Sequence, residues 1–153
     1  MSLRKLALVL ALSVVPIGVI GQAAPARDGA RPLATEEVKI VTGHGVRKFH
    51  VEIARTEAEQ ALGLMFRTRI PVGTGMIFPM APPRPVAFWM KNCPVPEDMI
   101  FIKPDGRIES IARMTRPNDE TPISSGGSIS AVLEVAGGTA LRMGIKPGDK
   151  VVW

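Results

Sequence analysis

The chain has 153 residues, 46% of them hydrophobic, which suits a single domain with a core of its own. Its formal net charge is +5, with lysines and arginines scattered and no tyrosine to interleave, and this excludes a basic nucleic-acid groove. Cys93 is the single cysteine, so no internal disulfide can form and stability must come from the core.

Arg4 and Lys5 precede an apolar run from Leu6 to Ile20, and the small residues of Gly21-Gln22-Ala23-Ala24 follow. That is the order of a secretory signal. The run falls short of the roughly 20 apolar residues a membrane span needs, and Pro16 and Gly18 weaken it further as a permanent helix. Residues 1–23 are therefore expected to be a cleaved signal peptide, with a cut after Ala26 as second choice. No stable membrane span is expected after its removal. No cysteine stands near the cut to carry a lipid. The mature protein is expected to be periplasmic or secreted and only mildly basic, since Arg4 and Lys5 leave with the signal. Residues 24–36 (small, polar and proline-bearing up to Leu33) are expected to be a disordered lead-in. Residues 37–153 are expected to form one domain.

Glu37–Thr42 and Val46–Ala54 are β-prone and joined by Gly43-His44-Gly45, a hairpin signal. In the second run Arg47, Phe49, Val51 and Ile53 share one face, predicted to point inward. Thr56 and Glu59 have the spacing of a capping box, and Ala58, Ala61, Leu62 and Met65 follow helical spacing, which predicts a helix over 56–66. Arg67–Thr74 reads as a loop and Gly75–Phe78 as a short strand. Pro79–Pro85 carries four prolines and is expected to be an extended loop, never a central strand.

Val86–Lys91 and Asp98–Lys103 read as core strands. Pro104-Asp105-Gly106 is a turn signal leading to a strand over Arg107–Met114. Thr115–Ser128 is polar and rich in Pro, Gly and Ser, a long surface loop. Ile129–Val135 is a buried strand, Gly137–Gly144 one or two helical turns, and Lys150–Trp153 a last strand. Many short strands with closely spaced turns imply a small, mainly β sandwich or barrel.

Gly63-Leu64-Met65-x-Arg67, Gly75-Met76-x-Phe78, Phe88-Trp89-Met90-Lys91-Asn92 with Pro96-x-Asp98, Leu133-Glu134-Val135-x-x-Gly138 and Gly144-Ile145-x-x-Gly148-Asp149 occur in that order. This series resembles the bacterial and archaeal domain-of-unknown-function family numbered 192, from about residue 37 to the C-terminus. The resemblance implies a compact mainly β domain of jelly-roll-like character, often exported, with no activity attached. The chain departs from the family pattern at Cys93, where threonine is expected, and at Glu97, where an apolar residue is common.

Candidate chemistry concentrates between Val86 and Lys103, where two apolar runs flank a polar connection on rigid neighbours. Alternation puts Trp89 and Lys91 on one face. If the two runs pair as antiparallel neighbours, Asp98 returns beside Lys91. Trp89, Lys91, Asn92 and Asp98 are then expected to border one open depression that binds a small polar ligand or an envelope partner. Asp98 can act as base or ligand group, or accept backbone N–H bonds in its own turn. Lys91 and Asn92 can meet an anionic or sugar-like ligand, or serve as a solvated lysine and a turn asparagine. Trp89 can stack on a ligand ring or be buried in a second apolar layer. Glu134 interrupts an apolar strand and needs a partner, for which Arg67 or Arg113 is available. Arg67 and Glu134 are taken as floor or supporting residues.

Two other functional classes stand beside the binding module. One is a hydrolase using Asp98 or Glu134 as general base. The other is a Cu(I) module built from Cys93 and methionine thioethers, although the methionines sit within apolar runs without close clustering and core filling accounts for them better. His44 and His50 are the only imidazoles, too few for an ordinary zinc site and remote in sequence from Cys93 as a nucleophile's base. No metal or cofactor is therefore expected, nor a nucleic-acid partner. A monomer or weak oligomer is expected.

Overall fold

The computed structural model describes residues 33–153. The expected signal peptide and residues 24–32 of the expected lead-in lie outside the described residues. The lead-in ends earlier than expected, because β1 (Thr35–Thr42) already pairs from Thr35 with Glu52 of β2 (Gly45–Ile53). Their hairpin turns through Gly43 and His44, with the Thr42 hydroxyl donating to the Gly45 carbonyl at 2.8 Å. Phe49, Val51 and Ile53 are buried, as their alternation predicts.

A crossover containing α1 (Glu57–Leu62) carries the chain to β3 (Thr74–Arg84), which runs parallel to β2. Parallel neighbours need such a connection of a dozen or more residues. The capping box forms: Glu59 N–H donates to Thr56 Oγ1 at 3.2 Å and Thr56 N–H donates to the Glu59 carboxylate at 2.9 Å. The helix is shorter than the expected 56–66, because Gly63 takes φ +47°, a conformation that ends it. A Cβ at Gly63 would also lie 3.3 Å from the Phe78 ring.

The proline segment is part of β3. It continues to Arg84, with a register shift between Pro79 and Arg84 and a cis Ala81–Pro82 bond. Prolines are tolerated there because β2 pairs only with Thr74–Ile77, which leaves one side of the strand open beyond that point. Val86–Lys91 is not a core strand. It contributes only the two-residue β4 (Ala87–Phe88), paired with β7 (Ile123–Ser124), a short strand inside the expected surface loop. Asp98–Lys103 corresponds to β5 (Glu97–Ile102), which lies between β6 (Ile108–Ala112) and β8 (Ile129–Ala136), so the two runs are not neighbours. The chain ends with α2 (Thr139–Met143) and β9 (Lys150–Val152).

The fold is mainly β. A mixed seven-stranded sheet has the order β6-β5-β8-β3-β2-β1-β9. It curls until its edges touch: Ile108 N–H donates to the Asp149 carbonyl at 2.9 Å and Val151 N–H to the Gly106 carbonyl at 2.8 Å. Contact is confined to this corner, so the sheet stops short of a closed barrel. One buried cluster draws on all seven strands, including Val38, Phe49, Ile77, Ile100, Ile108, Leu133 and Val151, and fills the concave face. The opposite face of β3, β5 and β8 is also covered. Met76, Phe78, Met99, Phe101 and Val132 pack there beneath Leu64, Met90, Cys93 and the small sheet. Burial on both faces explains why these strands read as continuous apolar runs.

Candidate functional site

Period-two alternation decides which groups reach the covered outer face. On β5, Asp98, Ile100 and Ile102 point into the concave core while Glu97, Met99 and Phe101 point outward; on β8, Leu133 and Val135 point inward and Val132 and Glu134 outward. Glu97 opposes Ala136 and Met99 opposes Glu134, so the two glutamates are diagonal neighbours on one face. Such positions are roughly 7–8 Å apart and within reach of long side chains.

Glu134 is 5% exposed and lines a cavity of about 290 Å³ between the sheet and its cover. Leu64, Met65, Phe78, Met80, Phe88 and Trp89 wall the cavity, Cys93 lies on it, and Gln60 and Arg84 are at its mouth. Phe88 is fixed by edge-on contacts to Phe78 and Phe101, with ring centroids 5.2 and 6.4 Å away. The helical pattern of α1 finds its explanation here. Ala61 is exposed and Leu62 only half-buried, yet both line the cavity. The apolar face of the helix is in part a cavity wall.

The electrostatics of the floor follow from burial. Glu97 is fully buried and neither carboxylate oxygen has a hydrogen-bond partner of ordinary geometry. Burial raises its pKa to about 7, against the opposing pull of the Cys93 thiol and the Arg67 charge. Burial first, then the Glu97 charge, raises Glu134 well above the carboxylate range. The Cys93 thiol is pushed up to about 12 by burial and by the two glutamates. Two largely buried carboxylates on neighbouring positions resist double ionisation, because the charge of one disfavours the charge of the other.

The expected site residues separate. Trp89 and Glu134 meet at the cavity. Lys91 sits over the Trp89 ring, its Nζ 5.1 Å from the centroid, and pairs with Glu120 at 3.6 Å. Asn92 takes φ +55°, a left-handed turn conformation that asparagine tolerates, and its carbonyl accepts from Phe66 N–H at 2.7 Å. Arg67 is held by both oxygens of Glu52 at 2.7 Å, and Arg113 donates to the Ile145 carbonyl at 3.2 Å, so neither is the expected partner of Glu134.

Asp98 requires correction. It is fully buried, its Oδ1 accepts from Met114 N–H at 2.8 Å and Gly138 N–H at 2.9 Å, and its Oδ2 accepts from Ala140 N–H at 2.7 Å. It faces the concave core and anchors the start of α2, which leaves it neither ligand nor base. The shared depression fails for the same reason: β4 and β5 do not pair, so Asp98 never returns beside Lys91.

Glu97 was missed as a site residue. Its signal was a carboxylate two residues before Met99 in an apolar strand, on the same face as that methionine. The sulfurs of the cover sit in an apolar layer: Met76, Met80, Met90, Cys93 and Met99 are buried with Phe78, Phe101 and Val132, the arrangement core filling produces. Cys93→Ser is expected to cost at most about 1–2 kcal/mol, as a small polar change at a buried loop position. Thermal melts check this, and loss of folding would instead give the thiol a structural role.

The comparisons with known proteins agree on family and fold. The family model described as Uncharacterized ACR, COG1430 (DUF192) matches residues 38–153. A crystal structure of a protein of unknown function from Novosphingobium aromaticivorans is 45% identical, covers 87% of this chain and 100% of its own, and superposes with a TM-score of 0.78. A structure from Sinorhizobium meliloti, described as a proposed transcription regulator, is 37% identical, covers 81% and 97% of the two chains, and also reaches 0.78. No curated protein is significantly similar.

Proposed function

Because this chain belongs to the DUF192 family of uncharacterised domains, we propose its function from its geometry: an exported β-domain that binds a small polar ligand in the cavity beside Trp89. One observation carries this reading. An apolar-walled cavity of about 290 Å³ reaches a buried carboxylate, Glu134, to which no described residue donates a hydrogen bond. Ligand sites have this character: mostly apolar walls and a few placed polar groups. Lys91, Asn92 and Arg67 support it from outside, by holding Trp89, turning the loop and fixing the crossover. A macromolecular envelope partner is less well supported, since the polar group is at the bottom of the cavity. The regulator description belongs to the Sinorhizobium protein; here Lys39, Arg67, Lys91 and Lys103 are paired with carboxylates, which does not favour a nucleic-acid surface.

A thermal-shift screen of small polar metabolites tests the proposal. Hits should stabilise the wild type, by about 2.7 kcal/mol at a hundredfold excess over Kd, and lose that effect in Glu134→Gln. Hits that stabilise both proteins equally would rule the cavity out. Export rests on the sequence signal alone. Mass spectrometry of the protein from its native host should find it without its first ~23 residues, and an intact N-terminus would overturn export.

The raised pKa of Glu134, in an open cavity beside a second carboxylate, supports a second reading as a hydrolase with Glu134 as general base. Turnover of chromogenic esters or glycosides, abolished by Glu134→Gln, would favour it over simple binding.

A further inference from the structure

The cavity has a charge order along its depth. Glu134 is at the bottom, 5% exposed and without a hydrogen-bond donor among the described residues. Glu97 lies beside it, fully buried, with both oxygens lacking a partner of ordinary geometry. Carboxylates left this way are costly and favour a partner that brings a donor or a cation with it. Buried Phe78, half-buried Phe88 and exposed Trp89 make an apolar wall that leads outward from Glu134. At the mouth stands Arg84, exposed and with no carboxylate partner among the described residues. A second depression shares Arg84 and Gln60 with the cavity; there Arg55 is paired with Glu36 at 3.1 Å and Glu57 stands beside it, so Arg84 is the cation the cavity presents to an anion.

We propose, on the reading of the cavity as a ligand site, that its ligand is a short linear zwitterion: an ammonium group at Glu134, an aliphatic body against Phe78, Phe88 and Trp89, and a carboxylate or other anion at Arg84. An ammonium supplies three donors and a positive charge to a carboxylate that is 5% exposed, and hydrogen bonds between charged groups are stronger than neutral ones. The anion at the mouth meets a solvated guanidinium and contributes less.

The experiment follows Trp89 fluorescence in a Trp153→Phe background, which leaves Trp89 as the only indole. The probes are 6-aminohexanoate, hexylamine, hexanoate and hexanol. The zwitterion is expected to bind tightest and hexylamine next, each about tenfold or more ahead of hexanol. Glu134→Gln should remove the advantage of both amines. Arg84→Gln should remove only that of 6-aminohexanoate over hexylamine, roughly threefold. Equal binding of hexanol and hexylamine, or amine preference that survives Glu134→Gln, overturns the zwitterion while leaving a ligand cavity in place. If no probe changes Trp89 fluorescence or the melting temperature, the cavity is not a site for such molecules and the zwitterion falls with it.

Discussion

Asp98→Asn is expected to destabilise the domain by about 3 kcal/mol. The carboxylate holds three backbone N–H groups from two separate segments: Met114 after β6, and Gly138 and Ala140 at the start of α2. Hydrogen bonds to a charged acceptor are worth about 1.5–3 kcal/mol each, and an orphaned buried donor costs about 1–3 kcal/mol. An asparagine keeps one acceptor oxygen and turns an NH₂ toward at least one N–H, so donor faces donor. With the residue fully buried, water cannot compensate. Urea denaturation should show a lower midpoint with an unchanged slope, and the melting temperature should fall by roughly 10 °C. Stability within about 0.5 kcal/mol of wild type, the range of an ordinary surface substitution, would show that these bonds are not structural and would make Asp98 a candidate ligand group again.

Sequence features that act locally were legible. The hairpin of β1 and β2 and the capping box at Thr56 depend on neighbours a few residues away, and the apolar run of β8 marks a doubly buried strand by composition although its partners β3 and β5 are distant. The misread elements depend on partners far along the chain. The proline segment enters β3 only because β2 leaves its side open after Ile77. Val86–Lys91 has a strand-like composition, yet its partner is a two-residue stretch inside a loop, Ile123–Ser124. Local pattern carries no information about either.

The site follows the same division. Trp89 and Glu134 stood out as an aromatic in a polar loop and a carboxylate in an apolar strand. That they share a cavity depends on strand order, with β8 between β3 and β5, which no spacing encodes. Asp98 carries a legible signal, a short carboxylate before a core strand. Its side was then fixed by one residue of parity: Glu97 points to the cavity layer and Asp98 to the core. Cys93 and Glu97, four residues apart in the polar connection, prove to be neighbours beside the cavity.

Unusually for a domain with surface ion pairs, stability is expected to fall as the pH rises from about 5 to 7. Glu97 is raised to about 7 from an ordinary value of 4.5 by burial, and Glu134 is raised as well. In this window the unfolded chain releases protons that the folded chain keeps. The folded state binds more protons, so the slope of unfolding free energy with pH is negative. A tenfold change in a group's acidity corresponds to about 1.4 kcal/mol, so Glu97 alone accounts for a loss on the order of 3 kcal/mol by the time its folded pKa is passed. Glu134 adds a loss of the same sign, and because the two are neighbours the proton loss belongs to the pair. Below this window the sign reverses. Glu37, Asp105 and Asp119 are held below their ordinary values by hydrogen bonds and nearby cations, and whatever they contribute is lost as the pH falls through their folded pKa values. The optimum should therefore lie near pH 5. Urea melts at half-unit steps from pH 4 to pH 8 measure it directly. Glu97→Gln and Glu134→Gln should each flatten the descending limb, whatever their stability at pH 5. A wild-type stability that is level or rising between pH 5 and 7 would mean that both carboxylates ionise freely in the fold, and burial would not be what governs their charge.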